Sequence, residues 1–214
     1  MSRRFDCSDA TERARGLSEA AAAIRRGELV VLPTDTVYGV GADAFTPDAI
    51  DELLAAKGRG RDMPVPVLVG SPRAVDGIVL SLGRPGRDLI EAFWPGALTV
   101  IAREQPSLRW DLGETGGTVA VRMPLHPVAI ELLTETGPMA VSSANRSGGS
   151  PATTADDAEK QLGDAVAVYL DGGPCAAPVP SSIVDLTGTP PRLLREGALS
   201  VGELREVVPD LEGL

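Results

Sequence analysis

Short apolar runs alternate with segments whose apolar residues recur at helical spacing along the whole chain. Such runs predict buried strands, here at residues 28–32, 66–69, 97–102, 118–121, 139–142, 166–170, 182–186 and 192–194. Residues 18–26 form an alanine-rich segment of helical spacing that Gly27 ends. Because strict strand–helix alternation breaks down in the second half, the pattern predicts a single α/β domain around a twisted mixed sheet.

Capping signals predict where helices begin. Thr46 supplies a hydroxyl, Pro47 occupies the first position and Asp48 lies in the first turn of a helix that ends at Lys57. Further helices are predicted to begin at residues 71–72, 126–127 and 154–157, to cover 88–93, and to begin with a capping box at 200–203. The glycine-rich residues 113–117 predict a hairpin turn between two strands.

Composition limits the classes of protein that the chain resembles. Its 214 residues fit one domain, and 43% hydrophobic content is ordinary for a globular protein. No apolar run approaches the roughly 20 residues that span a bilayer, and the N-terminus lacks the apolar core of a secretion signal. Cys7 and Cys175 are too few for a disulfide framework. We therefore expect a cytoplasmic protein with no membrane partner.

The charges are unevenly distributed. The formal net charge is −10, which disfavours binding of long nucleic acids over a broad surface, since nucleic-acid-binding proteins neutralise phosphates with a basic surface. Lys57, Arg59 and Arg61 nevertheless cluster in one loop, and Arg122 and Arg195 each end a short apolar run. Local positive charge in an acidic chain favours a small anionic ligand, although each arginine could equally make a surface ion pair.

Three polar loops follow predicted strands or helices, at residues 33–41, 57–64 and 142–148. Their glycines, hydroxyls and cations suit close contact with a ligand, and together they predict one site. His126 is the single histidine, which disfavours a catalytic triad or a histidine-based metal site. The chain has neither a P-loop nor a GxGxxG fingerprint, so a nucleotide would have to bind by other means.

These loops, in this order, resemble the YrdC/Sua5 family of threonylcarbamoyl-AMP synthases. The resemblance extends over residues 17–207, and the chain as a whole, 1–214, resembles the short, single-domain form. The matching segments are PTDTVYG at 33–39, KxR at 57–59 with Pro64, TVAVRMP at 118–124, SAN at 143–145 with SG at 147–148, SSIVD at 181–185 and LREG at 194–197. Gly60 and Val65 replace a proline and a leucine of the usual pattern, which affects the expected loop geometry.

The resemblance implies a nucleotidyltransferase that makes threonylcarbamoyl-AMP and pyrophosphate from L-threonine, bicarbonate or CO2, and ATP. The product serves the t6A modification of adenosine 37 in tRNAs that read ANN codons. It also implies a twisted sheet with a concave, positively lined active face, and Mg²⁺ that arrives with ATP and has no protein side-chain ligands. Downstream t6A transfer proteins are implied partners, and tRNA contact is expected to be weak or indirect.

Residue roles follow from the same resemblance. Catalytic roles are implied for Lys57 and Arg59. The implied L-threonine ligands are Thr34, Tyr38, Arg122, Val141 and Ser181. The implied ATP ligands are Lys57, Arg59, Arg61, Thr118, Ser143, Asn145, Pro151 and Arg195.

Two alternatives stay open at this stage. One is a binding protein for double-stranded RNA or the ribosome, which the net charge disfavours. The other is carbamoyl transfer for hydrogenase maturation, as in larger proteins that contain a YrdC-like domain. Those proteins carry zinc-finger segments, and this chain has no CxxC motif.

Overall fold

The computed structural model describes residues 2–176 and 179–213. Within them ten strands form one sheet: β1 (Arg3–Asp6), β2 (Val30–Leu32), β3 (Gly39–Asp43), β4 (Val67–Leu68), β5 (Leu98–Arg103), β6 (Thr118–Arg122), β7 (Met139–Ser143), β8 (Val168–Asp171), β9 (Ser182–Asp185) and β10 (Arg192–Arg195). Six α-helices accompany them: α1 (Ala10–Arg25), α2 (Pro47–Lys57), α3 (Gly83–Phe93), α4 (Pro127–Thr136), α5 (Ala155–Leu162) and α6 (Val201–Val207). Short 3₁₀ turns cover Pro72–Gly77 and Gly163–Ala165.

The sheet is mixed, in the order β1-β8-β2-β3-β7-β4-β6-β5-β9-β10. Strands β1, β8 and β2 are parallel neighbours, as are β4 with β6 and β5 with β9. The other neighbouring pairs are antiparallel. The predicted α/β fold with a mixed sheet is confirmed.

Helices cover the two faces of the sheet unequally. Helices α1 and α4 pack on one face, over strand residues such as Leu32 and Met139. The other face is covered by α2, α3, α5 and α6, over residues such as Val40 and Val121. Along each strand, successive side chains alternate between these faces, which is why adjacent residues fall in different clusters.

One part of the sheet leaves its α1/α4 face open. On β6, Val119 and Val121 are buried on the α2 side, whereas Thr118 and Ala120, which alternate with them, are only half-buried. The same alternation appears in β9, where Ile183 is half-buried between buried neighbours. The open face over β6, β5 and β9 is therefore accessible to a ligand.

Most helix starts are as predicted, and α1 is the main exception. It begins at Ala10 because the Asp9 carboxylate accepts hydrogen bonds from the backbone N–H groups of Thr11 and Glu12. The prediction from residue 18 was therefore too short. The predicted capping box of Ser200 with Glu203 is present, and Pro72–Gly77 make a 3₁₀ turn instead of an α-helix.

Two strands were not predicted. β1 has the sequence RRFD, in which only Phe5 is buried, so its apolar pattern is too sparse to read. β3 has the sequence GVGAD, whose glycines suggested a ligand loop. Gly39 and Gly41 are needed there because an added Cβ would lie 2.6–2.9 Å from Val141 side-chain atoms of the neighbouring strand. Among the described helices, none combines the length and apolarity needed to cross a membrane.

Candidate active site

Arg122 lies at the end of β6 and is 7% exposed. Its Nε donates to the Gly96 carbonyl at 2.9 Å, and Nη1 donates to Thr36 Oγ1 at 2.8 Å. Nη2 donates to Asp35 Oδ1 at 2.6 Å, in an ion pair. Burial lowers the pKa of Arg122, and the charge of Asp35 opposes that shift. The guanidinium is thus held on three sides in one orientation.

The Thr34 hydroxyl lies beside this pair and already has partners. It donates to the Val37 carbonyl at 2.6 Å and accepts from the Thr36 backbone N–H at 3.1 Å. Thr36 Oγ1 lies 3.1 Å from it. Since a hydroxyl has one proton and two lone pairs, a substrate contact from Thr34 would have to share or replace one of these bonds.

Ser181 and Arg195 extend the same cluster across β5, β9 and β10. Ser181 Oγ lies 2.8 Å from Thr99 Oγ1, and Arg195 Nη2 donates to Ser181 Oγ at 3.2 Å. Arg195 Nε and Nη2 both donate to the Ser181 carbonyl. Since Val100 on β5 pairs with Val121 on β6, Thr99 lies beside Arg122, and the contacts of Thr99, Ser181 and Arg195 adjoin it.

Lys57 ends α2 and is 3% exposed. Its Nζ donates to the carbonyl of Ser143, the last residue of β7, at 2.6 Å and to that of Asn145, in the loop that follows, at 2.8 Å. Burial lowers the pKa of Lys57 to about 8, and the charge of Arg59 adds to the effect. The ammonium group therefore ties two loops together and does not cap its own helix.

Arg59 and Asn145 each present an unpartnered polar atom. Arg59 Nη1 reaches Ser142 Oγ at 3.4 Å, while its Nε is buried without a hydrogen-bond partner. Asn145 Nδ2 donates to two backbone carbonyls, while its Oδ1 is buried without a partner. Burial also lowers the pKa of Arg59. Buried polar atoms of this kind are rare in folded proteins and here offer one donor and one acceptor.

Strand register and the loop after β2 relate the two clusters. Arg122 on β6 and Met139 on β7 both lie level with Leu68 on β4. Thr118 and Ser143 each lie four residues from that level, toward the same edge of the sheet. Ser143 pairs with Gly39, at the end of the loop whose Asp35 contacts Arg122. Val141 donates its backbone N–H to the Pro66 carbonyl between the clusters, at 2.9 Å.

Tyr38 stabilises the loops of the site through its buried side chain and its backbone. Its side chain is fully buried, and its hydroxyl donates to the Gly173 carbonyl at 2.6 Å and accepts from the Gly172 N–H at 3.0 Å. Burial raises the pKa of Tyr38. The Tyr38 backbone also pairs with Ala144 and Ala152, so this residue joins the first and third polar loops.

Arg61 and Pro151 stand apart from these contacts. Arg61 is 40% exposed in its side chain and pairs with Asp51 at 2.5 Å and with Asp111. Two carboxylates thus already neutralise it, on the outer side of α2. Pro151 is exposed and immediately precedes Ala152, whose carbonyl accepts from the Tyr38 N–H.

The structure adds residues to which the sequence analysis gave no role. Asp35 and Thr36 hold Arg122, Thr99 holds Ser181, and Ser142 contacts Arg59. Asp35 and Thr36 lie inside the PTDTVYG segment, so their position was a signal, but their partner lies on a distant strand. Within residues 2–176 and 179–213, no three His, Cys, Asp or Glu side chains converge on a point suitable for a metal ion.

Comparison with known proteins identifies relatives over nearly the whole chain. The family model Sua5_yciO_yrdC, described as "Telomere recombination", matches residues 22–197. A Mycobacterium tuberculosis protein named "Putative threonylcarbamoyl-AMP synthase" is 59% identical over 97% of this chain and 96% of its own length. The Bacillus subtilis threonylcarbamoyl-AMP synthase is 36% identical over 90% of this chain and 56% of its own length.

Solved structures show the same fold. Pyrococcus abyssi Sua5 in complex with L-threonine superposes with a TM-score of 0.91 at 33% identity, covering 100% of this chain and 62% of that one. Escherichia coli YciO superposes with a TM-score of 0.83, covering 95% of this chain and 100% of that one. Its 22% identity supports a shared fold only.

Proposed function

The chain belongs to the Sua5/YciO/YrdC family, and from this premise we propose that it is an L-threonylcarbamoyladenylate synthase. It would join L-threonine, bicarbonate or CO2, and the AMP moiety of ATP, releasing pyrophosphate. The product would serve t6A formation at position 37 of tRNAs that read ANN codons. Relatives named for this activity, and a family structure that holds L-threonine, support the proposal.

The observation that supports ATP binding is a group of cations with no carboxylate partner. Lys57 and Arg59 make no ion pair with any described residue, and Asp62 acts on Arg59 only at longer range. Arg59 Nε is also left without an acceptor. Phosphate oxygens supply both the negative charge and the missing acceptor. Ser143, Asn145, Thr118 and Pro151 would surround the rest of the nucleotide.

The threonine half is assigned to the Arg122 cluster. Arg122 would bind the substrate carboxylate, because three of its five N–H groups are engaged and one on each terminal nitrogen is spare. Thr34 and Ser181 would add hydroxyl contacts, Val141 a main-chain contact, and Tyr38 support. Arg195, next to Ser181, would lie between the two substrates, near the α-phosphate.

The chemistry joins two anions, the carbamate of threonine and the α-phosphate of ATP. The carbamate oxygen attacks the α-phosphorus, and the bond to pyrophosphate breaks. Lys57, Arg59 and Arg195 would offset the repulsion and stabilise charge on the leaving group. Mg²⁺ would enter with ATP, held by its phosphates and water, since the described residues offer no carboxylate cage. Positioning of the two substrates would then account for much of the rate.

The remaining parts of the assignment are proposals of the same kind. We place the protein in the cytoplasm, as one YrdC-like domain over residues 1–214. The product would pass to a downstream t6A enzyme, and this protein's own contact with tRNA would be weak or indirect.

The test is incubation with ATP, bicarbonate and labelled L-threonine, followed by mass analysis of the products. We expect threonylcarbamoyl-AMP and pyrophosphate, each dependent on threonine and bicarbonate. ADP with orthophosphate, or turnover without bicarbonate, would overturn the proposal.

A further inference from the structure

Asp35 forms the most buried ion pair of the site. Its side chain is 16% exposed and that of Arg122 is 9% exposed. Among ion pairs within the described ranges, no other has both side chains below 20% exposure. Exposed ion pairs contribute little to stability, and burying an ion pair costs desolvation energy. A pair placed this deep therefore calls for a specific explanation.

The two carboxylate oxygens of Asp35 are used unequally. Oδ1 accepts from Arg122 Nη2 at 2.6 Å and from the Leu125 backbone N–H at 2.9 Å. Oδ2 accepts no hydrogen bond from the residues that the structure describes, and it is not among the buried atoms that lack a partner. The carboxylate that contacts Arg122 therefore has a partly accessible oxygen with no hydrogen-bond donor among the described residues.

We infer that Asp35 Oδ2 binds the α-ammonium group of the amino-acid substrate while Arg122 binds its α-carboxylate. This inference rests on the proposed function and names a substrate ligand in the same site. In an α-amino acid the ammonium nitrogen and the carboxyl carbon are joined through one carbon and lie about 2.5 Å apart. A ligand of that size can bridge two side chains already in contact.

The charges of the cluster favour this arrangement. Arg122 is buried, and Arg195, which is exposed but bonded to Ser181, supplies a second positive charge on the same side of the site. An ammonium group brought next to them without a counter-charge would be repelled. Asp35 is the carboxylate in contact with Arg122, so it gives the ammonium group its favourable partner.

A purely structural role for Asp35 would have different consequences for ligand affinity. If the carboxylate only orients Arg122, its loss weakens every ligand that uses Arg122. If it binds the ammonium group, its loss weakens only ligands that carry one. 3-Hydroxybutyrate retains the carboxylate and hydroxyl of threonine and lacks the α-amine, so it separates these cases.

The experiment measures the affinity of L-threonine by calorimetry, and of 3-hydroxybutyrate by competition with threonine, for the wild type and Asp35→Asn. Asparagine keeps the shape and one acceptor oxygen while removing the charge. Asp43→Asn is the matched control, since Asp43 also holds a loop through its carboxylate, at Phe45 N and Thr46 Oγ1, outside the site.

We expect Asp35→Asn to weaken threonine binding about 10-fold or more, which corresponds to about 1.4 kcal/mol. Its effect on 3-hydroxybutyrate should stay within about 3-fold, and Asp43→Asn should change neither affinity. Equal weakening of both ligands, or unchanged threonine binding, would overturn the inference. Absent threonine binding in the wild type would instead overturn the proposed function.

The wild type provides a second measurement that needs no variant. It should bind 3-hydroxybutyrate about 10-fold or more weakly than threonine. Equal affinities would overturn the inference even if Asp35→Asn failed to fold.

Discussion

The two halves of the site, around Lys57 and around Arg122, differ in how the charge of the buried cation is balanced. Around Lys57 the partners are neutral backbone carbonyls, those of Ser143 and Asn145. Around Arg122 the partners include the carboxylate of Asp35. Both cations are almost fully buried, so the difference lies in charge balance and not in depth.

This difference bears on what each half can bind. A buried cation with neutral partners keeps its charge uncompensated, which lowers its pKa and favours an anion of high charge such as a polyphosphate. A cation paired with a carboxylate presents both signs of charge and favours binding of a zwitterion. The predictions below test this contrast, beginning with the largest effect.

Lys57→Ala should reduce pyrophosphate release about 100-fold or more, because it removes a charge that would stabilise the transferring phosphate. It also removes the donor that joins the carbonyls of Ser143 and Asn145. The measurement is the initial rate at saturating threonine, with the melting temperature of the same preparation. Lys160→Ala, in the last turn of α5, is the control. Near-normal turnover in Lys57→Ala would show that this lysine only ties the two loops together.

Arg122→Ala should weaken threonine binding by about 2–5 kcal/mol, or about 30-fold at the least, and leave the KM for ATP within about 3-fold. The substrate carboxylate loses its partner, and Asp35 is left half-buried without its cation. Calorimetric titration with threonine measures the effect. Arg103→Ala, at the exposed end of β5, should change neither constant. A parallel loss of affinity for both substrates would contradict the division of the site.

The lowered pKa of Lys57 predicts a pH dependence confined to its half of the site. Protonated Lys57 would bind phosphate, and its folded pKa is about 8. The kcat/KM for ATP should therefore fall about 10-fold per pH unit above that value at saturating threonine. Lys57→Arg, whose guanidinium stays protonated, should give a flat profile. An unchanged fall in that variant would assign the titration to another group.

The same pKa shift predicts the opposite trend in stability. Lysine has an ordinary pKa of 10.5, so between about pH 8 and 10.5 the unfolded chain binds more protons at Lys57 than the folded one. The free energy of unfolding contributed by this group therefore rises with pH across that window. Urea unfolding of the wild type and Lys57→Met at pH 7 and pH 9.5 measures the difference. A contribution that falls with pH would contradict burial as the cause.

The sequence predicted the secondary structure well where periodicity and capping residues coincide. The helix from Thr46 to Lys57 and the capping box at Ser200 are examples, because their signals are local. β3 was missed because its glycines are set by the close approach of Val141, a residue of another strand. Such a constraint is not visible in a local pattern.

The candidate site shows the same limit. The polar loops were correctly expected to meet, since cations and hydroxyls after strands mark binding sites. What the sequence could not give is which cation has a carboxylate beside it. The pairing of Arg122 with Asp35 depends on the register of β6 and on the turn after β2, which lie far apart in the chain.

Arg61 is the residue on which sequence and structure diverge most, and it gives the smallest predicted effect. The family resemblance implies that Arg61 binds ATP, whereas in the folded chain Arg61 pairs with Asp51 and Asp111. Arg61→Ala should then change the KM for ATP by less than about 3-fold, and lower stability by about 0.2–1 kcal/mol for each partly exposed pair lost. Asp111→Asn should reproduce part of the stability loss and leave the KM unchanged. A 10-fold rise in the KM for ATP in Arg61→Ala alone would show that Arg61 leaves its carboxylates when ATP binds, and would place it with the cations that serve the polyphosphate.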